Sequence, residues 1–345
     1  MKKKILFIVP SLKNAGPVNV CLTIINNLPE FYDIEVLALN DGERKEEFAS
    51  RSKVTIFKRT AVLQALKFIR QGGFSVIHSH CTVSDIFNYL SFSSASKVTT
   101  IHNYFEVDFV QTKGLIKGKI EGLVGRFIIR RFYKVACSYS VMKHCVSFHA
   151  MKKVTAIPNG VEQPLSFGKK NNDDMVHYFY LGVLNKRKNV QQVLEAFSQW
   201  CQGKRAELHI IGSGSDEVYL RQQYSNDKII FHGNTDQPYF LYKEFDCFIS
   251  ASHAEGLPLA LIESMASGKT FICSDIEPHK EVHNAFKDKS GFLFDKTVAG
   301  LIACLEEYYR FHDKASLADN AINNYSKNYS AKKMALSYSE LYQKI

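Results

Sequence analysis

Short runs of β-branched and aromatic residues alternate with segments whose apolar positions recur every three or four residues, through most of the 345-residue chain. In the first half, the runs at 4–9, 34–39, 54–57, 75–80, 97–102, 134–138 and 154–157 predict strands. Helical spacing over 18–28, 61–71 and 84–92 fills intervals between them. A β-α rhythm of this kind predicts a parallel sheet covered on both faces. A polar stretch at 162–174, with Pro164, Gly168, two lysines and two asparagines, breaks the rhythm. It restarts with strands expected at 176–181, 207–211, 228–231, 246–250, 270–273 and 291–294, and from 297 onward the pattern is helical. The expected fold class is therefore α/β, with two Rossmann-like doubly wound domains facing a central cleft. The domains are expected at 1–162 and 175–328, joined by a linker at 163–174, with a last helix at 329–345 packing back on the first domain.

In open parallel sheets, ligands sit beyond the carboxyl ends of the strands. Two segments there carry the candidate chemistry. In Ser252-His253-Ala254-Glu255-Gly256-Leu257-Pro258-Leu259-Ala260-Leu261-Ile262-Glu263, a strand gives way to a turn, and Pro258 is expected as the first residue of a helix. The uncapped amides of such a helix start favour a phosphate. The second segment is Lys186-Arg187-Lys188-Asn189, where Asn189 is the expected N-cap of a helix over 190–200 and Gln192 completes a capping box. Three cations at a helix start oppose the helix dipole, and become favourable once a dianion lies among them.

Charge and composition sharpen this picture. Residues 1–165 carry 23 Lys and Arg against 12 Asp and Glu, whereas 166–345 carry 21 against 22, so the basicity lies in the first half. One half is thus expected to meet an anionic surface or substrate. The densest basic stretch holds Lys113, Lys117, Lys119, Arg126, Arg130, Arg131 and Lys134, with apolar residues at 116, 120, 123, 124 and 127 in helical spacing. It predicts an amphipathic helix that either lies on anionic lipid or packs into the core with a solvated basic face. No apolar run nears the ~20 residues of a membrane span. The apolar start at 5–9 is cut short by Pro10 and Lys13, well below the roughly 7–15 residues of a signal h-region, so a cytosolic location is expected. The eight cysteines never come closer than eight positions, which excludes C-x-x-C and zinc-ribbon spacing.

Asn159-Gly160-Val161, Gly182 with Arg187-Lys188-Asn189, Ile211-Gly212-Ser213-Gly214, and Glu255 with Glu263 followed by Met265-Ala266-Ser267-Gly268-Lys269 stand in an order that resembles the family-4 glycosyltransferases. The likeness runs over nearly the whole chain. It implies the GT-B architecture and a retaining transfer of a hexosyl unit, from a nucleotide-sugar (UDP-linked) to a hydroxyl of a glycan or lipid-linked acceptor. It further implies a role in bacterial surface polysaccharide assembly, at the inner face of the cytoplasmic membrane. Carried over by residue, it makes His102, Glu255 and Lys188 catalytic. Arg187 and Lys188 would neutralise the diphosphate and Glu263 would bind the ribose. Glu255, Gly256, Leu257, Pro258 and Leu259 would hold sugar and phosphate, with Gly16, Gly212 and Asn234 also on the donor. From the basic amphipathic stretch, rather than from the likeness, Lys113, Lys117, Lys119, Arg126 and Arg130 are expected to serve acceptor and membrane. Two positions depart from the family pattern: Val183 stands where Arg is frequent after Gly182, and Ala15-Gly16 where two glycines are common.

His78 and His80 share one strand face, but no third ligand at convincing spacing accompanies them. No Asp-x-Asp occurs, so no metal or other cofactor is expected, and charge neutralisation falls to Arg187, Lys188 and helix ends. The rival expectations are a nucleotide-sugar epimerase or phosphorylase of the same plan, or a basic nucleic-acid-binding protein. Nucleic acid is not an expected partner, because the basic helix lacks base-reading and stacking motifs.

Overall fold

Five consecutive residues, Ile5 to Val9, are fully buried, which requires helices on both faces of the strand that holds them. That strand is β1 in the computed structural model of the protein, which describes residues 3–58, 60–104, 114–164, 174–235 and 243–345. Of the expected linker, 165–173 lie outside these residues, as does Lys113. The chain divides into two units, Met1–Val161 with Ser330–Ile345, and Glu162–Tyr329.

In the first unit, β1 (Lys4–Val9), β2 (Asp33–Ala38), β3 (Lys53–Ile56), β4 (Val76–His80), β5 (Ser96–Ile101), β6 (Tyr133–Ala136) and β7 (Val154–Ala156) form one parallel sheet. Its order is β3-β2-β1-β4-β5-β6-β7, so the winding reverses between β1 and β4. Leu6, Ile8, Leu37 and Ile77 of the sheet pack on Ala65 and Ile69 of the helix Val62–Gln71. The terminal helix Ala331–Lys344 returns to this unit and packs on the helix Gly16–Asn27. Tyr342 Oη lies 2.6 Å from His78 Nδ1, and Tyr338 Oη 2.8 Å from Thr100 Oγ1. The returning chain also explains Gly160: a Cβ there would stand 2.4 Å from the carbonyl oxygen of Ser330.

In the second unit, β8 (Val176–Leu181), β9 (Ala206–Ile211), β10 (Ile229–Gly233), β11 (Cys247–Ser250), β12 (Thr270–Ser274) and β13 (Gly291–Phe294) are parallel in the order β10-β9-β8-β11-β12-β13. The reversal falls between β8 and β11. Tyr178, Tyr180, Leu208 and Ile210 bury one sheet face against Val193, Leu194 and Phe197 of the helix Val190–Trp200. The strand expected at 228–231 extends to Gly233 through a register shift after Phe231. Among the described residues, no helix is long and apolar enough to cross a membrane.

Candidate active site

Strand β8 ends at Leu181, and Gly182 turns the chain with φ 150°. The next strand ends alike: Gly212 has φ 133°, and a Cβ on it would meet the Gly182 carbonyl oxygen at 1.9 Å. A Cβ on Gly214 would lie 2.2 Å from the Leu184 oxygen. The two glycines of Gly212-Ser213-Gly214 therefore let the turns after β8 and β9 lie backbone to backbone, joined by Leu184 N–H to Ser213 O at 2.9 Å. The Gly212 amide donates to Gly233 O at 2.7 Å, which sets the exposed Asn234 one residue from this pair of turns.

Beyond Leu184 the chain makes a tight turn in which Lys188 N–H donates to Asn185 Oδ1 at 3.1 Å. Asn189 then precedes the helix Val190–Trp200, as its position predicts, but it does not cap it. It is left-handed (φ 50°), so its side chain is turned from the first-turn amides. Its Nδ2 instead donates to Gln192 Oε1 at 2.7 Å, and Gln192 Nε2 donates to Lys296 O at 2.6 Å. This corrects the expected capping box.

The turn carries Arg187 and Lys188 to the loop after β11. His253 N–H donates to Arg187 O at 2.9 Å, and Arg187 Nη1 donates to Ala254 O at 2.7 Å and Glu255 Oε2 at 3.2 Å. Lys188 Nζ donates to Glu255 Oε1 at 2.5 Å, and the Ser252 hydroxyl donates to the same oxygen at 2.7 Å. Glu255 is only 5% exposed. Burial pushes its carboxyl up, but the charges of Lys188 and Arg187 and the hydrogen bonds from Lys188 and Ser252 outweigh this and hold it at about 2. The loop is anchored from β12, where the Ser274 hydroxyl donates to Ser252 O at 2.7 Å. His279 Nδ1 in turn lies 2.7 Å from Ser274 O. Burial holds His279 down at about 4, so it is neutral, and its Nε2 is buried without a hydrogen-bond partner.

Pro258 is the N-cap of the helix Leu259–Ala266, one residue before the helix rather than its first. No side chain caps this helix, and its first turn holds no acidic residue. Its leading amides therefore remain open to an anion, beside the buried Gly256 and Leu257. Glu263 lies on this helix, partly exposed, one turn on from Leu259. The structure thus joins Arg187, Lys188 and Glu255 by direct contact, with Gly212, Asn234, Leu259 and Glu263 on the same unit.

Gly16 and His102 belong to the first unit. Gly16 is exposed at the start of the helix Gly16–Asn27, which has no side-chain cap. The preceding loop is fixed by Glu43, whose Oε1 accepts from Asn14 N–H at 2.6 Å. His102 follows β5, its Nε2 3.0 Å from His80 Nδ1. Burial lowers His102 to about 3, so it is a neutral imidazole. His78 and His80 do share a face, with ring centroids 4.4 Å apart. Both ring nitrogens of His78 are taken, Nδ1 by Tyr342 and Nε2 by Thr100.

His102 lines a cavity of about 450 Å³ with Thr82, Asp85, Ile86, Ile120 and Val124. Asp85 escaped the sequence reading. Burial raises its carboxyl to about 7, against hydrogen bonds from Ser79 and Thr99 that pull it down, and Ser79 Oγ donates to it at 2.7 Å. A short polar residue in the first turn of the helix Thr82–Leu90, just past the end of β4, was the available signal.

The helix Leu115–Ile129 borders that cavity. Ile116 is 75% exposed, and Ile120, Leu123, Val124 and Phe127 are also exposed. Among its described side chains the buried positions are Gly118, Gly122, Gly125, Ile128 and Ile129, so three glycines and the two last isoleucines face inward while the apolar positions 116, 120, 123, 124 and 127 face out. This overturns the core-packed alternative. Lys117 and Lys119 are exposed, the Arg130 guanidinium lies 5.0 Å over the Phe127 ring, and Arg126 Nη1 pairs with His149 Nδ1.

Comparison with known proteins matches residues 15–163 to a family model described as Glycosyltransferase Family 4 and residues 162–324 to one described as Glycosyl transferases group 1. The O-antigen biosynthesis glycosyltransferase WclY of Escherichia coli is 24% identical, over 99% of this chain and 98% of its own. The alpha-monoglucosyldiacylglycerol synthase of Streptococcus pneumoniae is 26% identical over 61% of this chain and 54% of its own. The crystal structure of HepE from Anabaena, in complex with UDP and glucose, shares the fold with a TM-score of 0.84 at 15% identity, covering 99% of this chain and 100% of that one.

Proposed function

The chain belongs to glycosyltransferase family 4 and has the GT-B fold, and from that premise we propose that it moves a hexosyl unit from a UDP-sugar to a hydroxyl of a glycan or lipid-linked acceptor, with retention at the anomeric carbon. The observation that carries the donor half is the contact of Arg187 and Lys188 with Glu255, beside the open start of the helix Leu259–Ala266. Glu255 holds the two cations in position before the donor arrives. A diphosphate then draws on charges already oriented, and little reorganisation remains for the reaction itself. Glu263 and Asn234 serve the nucleoside, and the loop 255–259 serves sugar and phosphate. Val183 stands where the family often has Arg, and Arg187 supplies that charge from the following turn.

In the reaction, the bond from the anomeric carbon to the diphosphate oxygen breaks, and the acceptor oxygen bonds that carbon on the same face. The acceptor proton passes to the departing diphosphate, whose growing charge Lys188 stabilises. Arg187, Lys188 and the helix start neutralise that charge without a metal. His102, neutral and held by His80, serves the sugar, and the apolar cavity beside it accepts the acceptor.

The likeness to WclY supports a role in O-antigen or related surface polysaccharide assembly. The exposed stripe of the helix Leu115–Ile129, flanked by Lys117, Lys119 and Arg130, supports peripheral attachment to the inner face of the cytoplasmic membrane. The test is incubation with a panel of UDP-hexoses and lipid-linked acceptors, with the linkage of the product read by NMR. A transferred sugar of unchanged anomeric configuration is expected. Isomerised donor without transfer, or an inverted product, would overturn the proposal.

A further inference from the structure

We propose that His177, Glu207 and His209 form a divalent-metal site, fitted to zinc, on the sheet of the second unit. β8 and β9 run parallel with His177 opposite Glu207 and Phe179 opposite His209. Positions two apart on a strand share a face, so the three side chains project together from neighbouring strands. Their ligand atoms converge: His177 Nδ1 lies 3.1 Å from His209 Nε2, and each of these nitrogens lies 3.5 Å from Glu207 Oε2. A tetrahedral ion with bonds of ~2.0–2.1 Å holds its ligand atoms ~3.3–3.4 Å apart, so this triangle already has the dimensions of one face of such a site.

The carboxylate points the same way. At 3.5 Å from both nitrogens, Glu207 Oε2 is too far for a good hydrogen bond yet well set to share an ion with them. The outer partner is present too, since His209 Nδ1 lies 3.0 Å from His232 Nε2. A proton on His209 Nδ1, donated to His232, leaves Nε2 with its lone pair toward Glu207 and His177. His209 is itself nearly buried. Phe245 packs on its ring at 4.9 Å and fixes the plane. All three side chains keep some exposure, which leaves the fourth position to water.

The three ligands lie on the same strands as the donor turns but short of them, with His209 three residues before Gly212, about 10 Å at ~3.3 Å per residue. His177 precedes Gly182 by five residues, about 16 Å at ~3.3 Å per residue. The ion would therefore tie β8 to β9 rather than touch the diphosphate, and the metal-free transfer proposed above does not depend on it.

The experiment uses the full chain without an affinity tag, stripped with a chelator and titrated with zinc chloride. One ion per chain with Kd below ~1 μM is expected, and a Tm rise of about 5 °C or more when zinc is ~100-fold above Kd. His177→Ala and Glu207→Gln should each weaken zinc at least ~10-fold, while His312→Ala, an exposed histidine elsewhere, should not. Cobalt added to the stripped wild type should give the intense visible bands of a tetrahedral ion, a readout that needs no variant to fold. No zinc uptake, uptake undiminished in both site variants, or a weak octahedral cobalt spectrum would each overturn the proposal.

Discussion

Glu255 accepts from three side chains at once, and its chemistry differs from that of an isolated loop glutamate. Its folded-state carboxyl sits at about 2, below its ordinary value of 4.5. A depressed carboxyl stabilises the fold fully above its ordinary value and loses that contribution as pH falls toward the folded one. Wild type and Glu255→Gln should therefore differ by about 2 kcal/mol in urea unfolding at pH 7, and the gap should close between pH ~4.5 and ~2. The figure is below the 3–5 kcal/mol of a fully buried pair because Arg187 and Lys188 keep some solvent contact. A constant gap across that range would remove Glu255 as the anchor of the two cations. Asp85 carries the opposite sign: its carboxyl is raised to about 7, so its neutral form favours folding below pH ~4 and that contribution is lost as pH climbs through 7. Asp85→Asn should flatten this decline in thermal unfolding followed over pH 4–8. An identical slope in the variant would contradict the assignment. Glu255, Pro258 and Glu263 could be read from the chain because one strand-turn-helix motif holds them within a short span, and Arg187 and Lys188 because they stand at the start of another expected helix. Asp85 could not, because its character comes from burial beside Ser79 and Thr99, which no local spacing encodes.

At the level of elements, the sequence pattern located the helix Leu115–Ile129 but left its outward face open between lipid and core. The interior chose small residues: Gly118, Gly122 and Gly125 allow a close approach, and the bulky apolar side chains are left outside. Co-sedimentation with vesicles should therefore rise with anionic lipid and fall with salt, and replacing Ile116 and Phe127 by Ser should weaken it at least ~5-fold. Equal binding to neutral vesicles would count against the membrane role. Strand centres were legible where four or five apolar or aromatic residues ran together, as in β1 and β8. Termini were less so: the register shift that lengthens β10 stands beside the Gly212–Gly233 hydrogen bond, and the left-handed Asn189 pairs with Gln192, which Lys296 holds from a distant segment. The cluster of His177, Glu207 and His209 was invisible for a similar reason. His177 stands 30 residues before Glu207 and meets Glu207 and His209 only through the register of two strands.

Across the whole molecule, the repeated β-α pattern was sufficient to foresee two parallel sheets, because the central strands must bury both faces. The order of strands and the return of Ala331–Lys344 to the first unit depend on contacts far apart in sequence, such as Tyr342 with His78. The excess of positive charge divides by sequence half, residues 1–165 basic and 166–345 nearly balanced. In the second unit, net charge matters less than where Arg187 and Lys188 are held. The most direct measurement is calorimetric binding of UDP and of uridine to wild type, Lys188→Ala and Arg187→Ala. Each variant should bind UDP at least ~10-fold more weakly while uridine binding is unchanged, and Lys188→Ala should lower kcat/KM for transfer by ~100-fold or more. UDP affinity equal to wild type in both variants would mean that the diphosphate rests somewhere other than beside Arg187, Lys188 and the turn before Pro258.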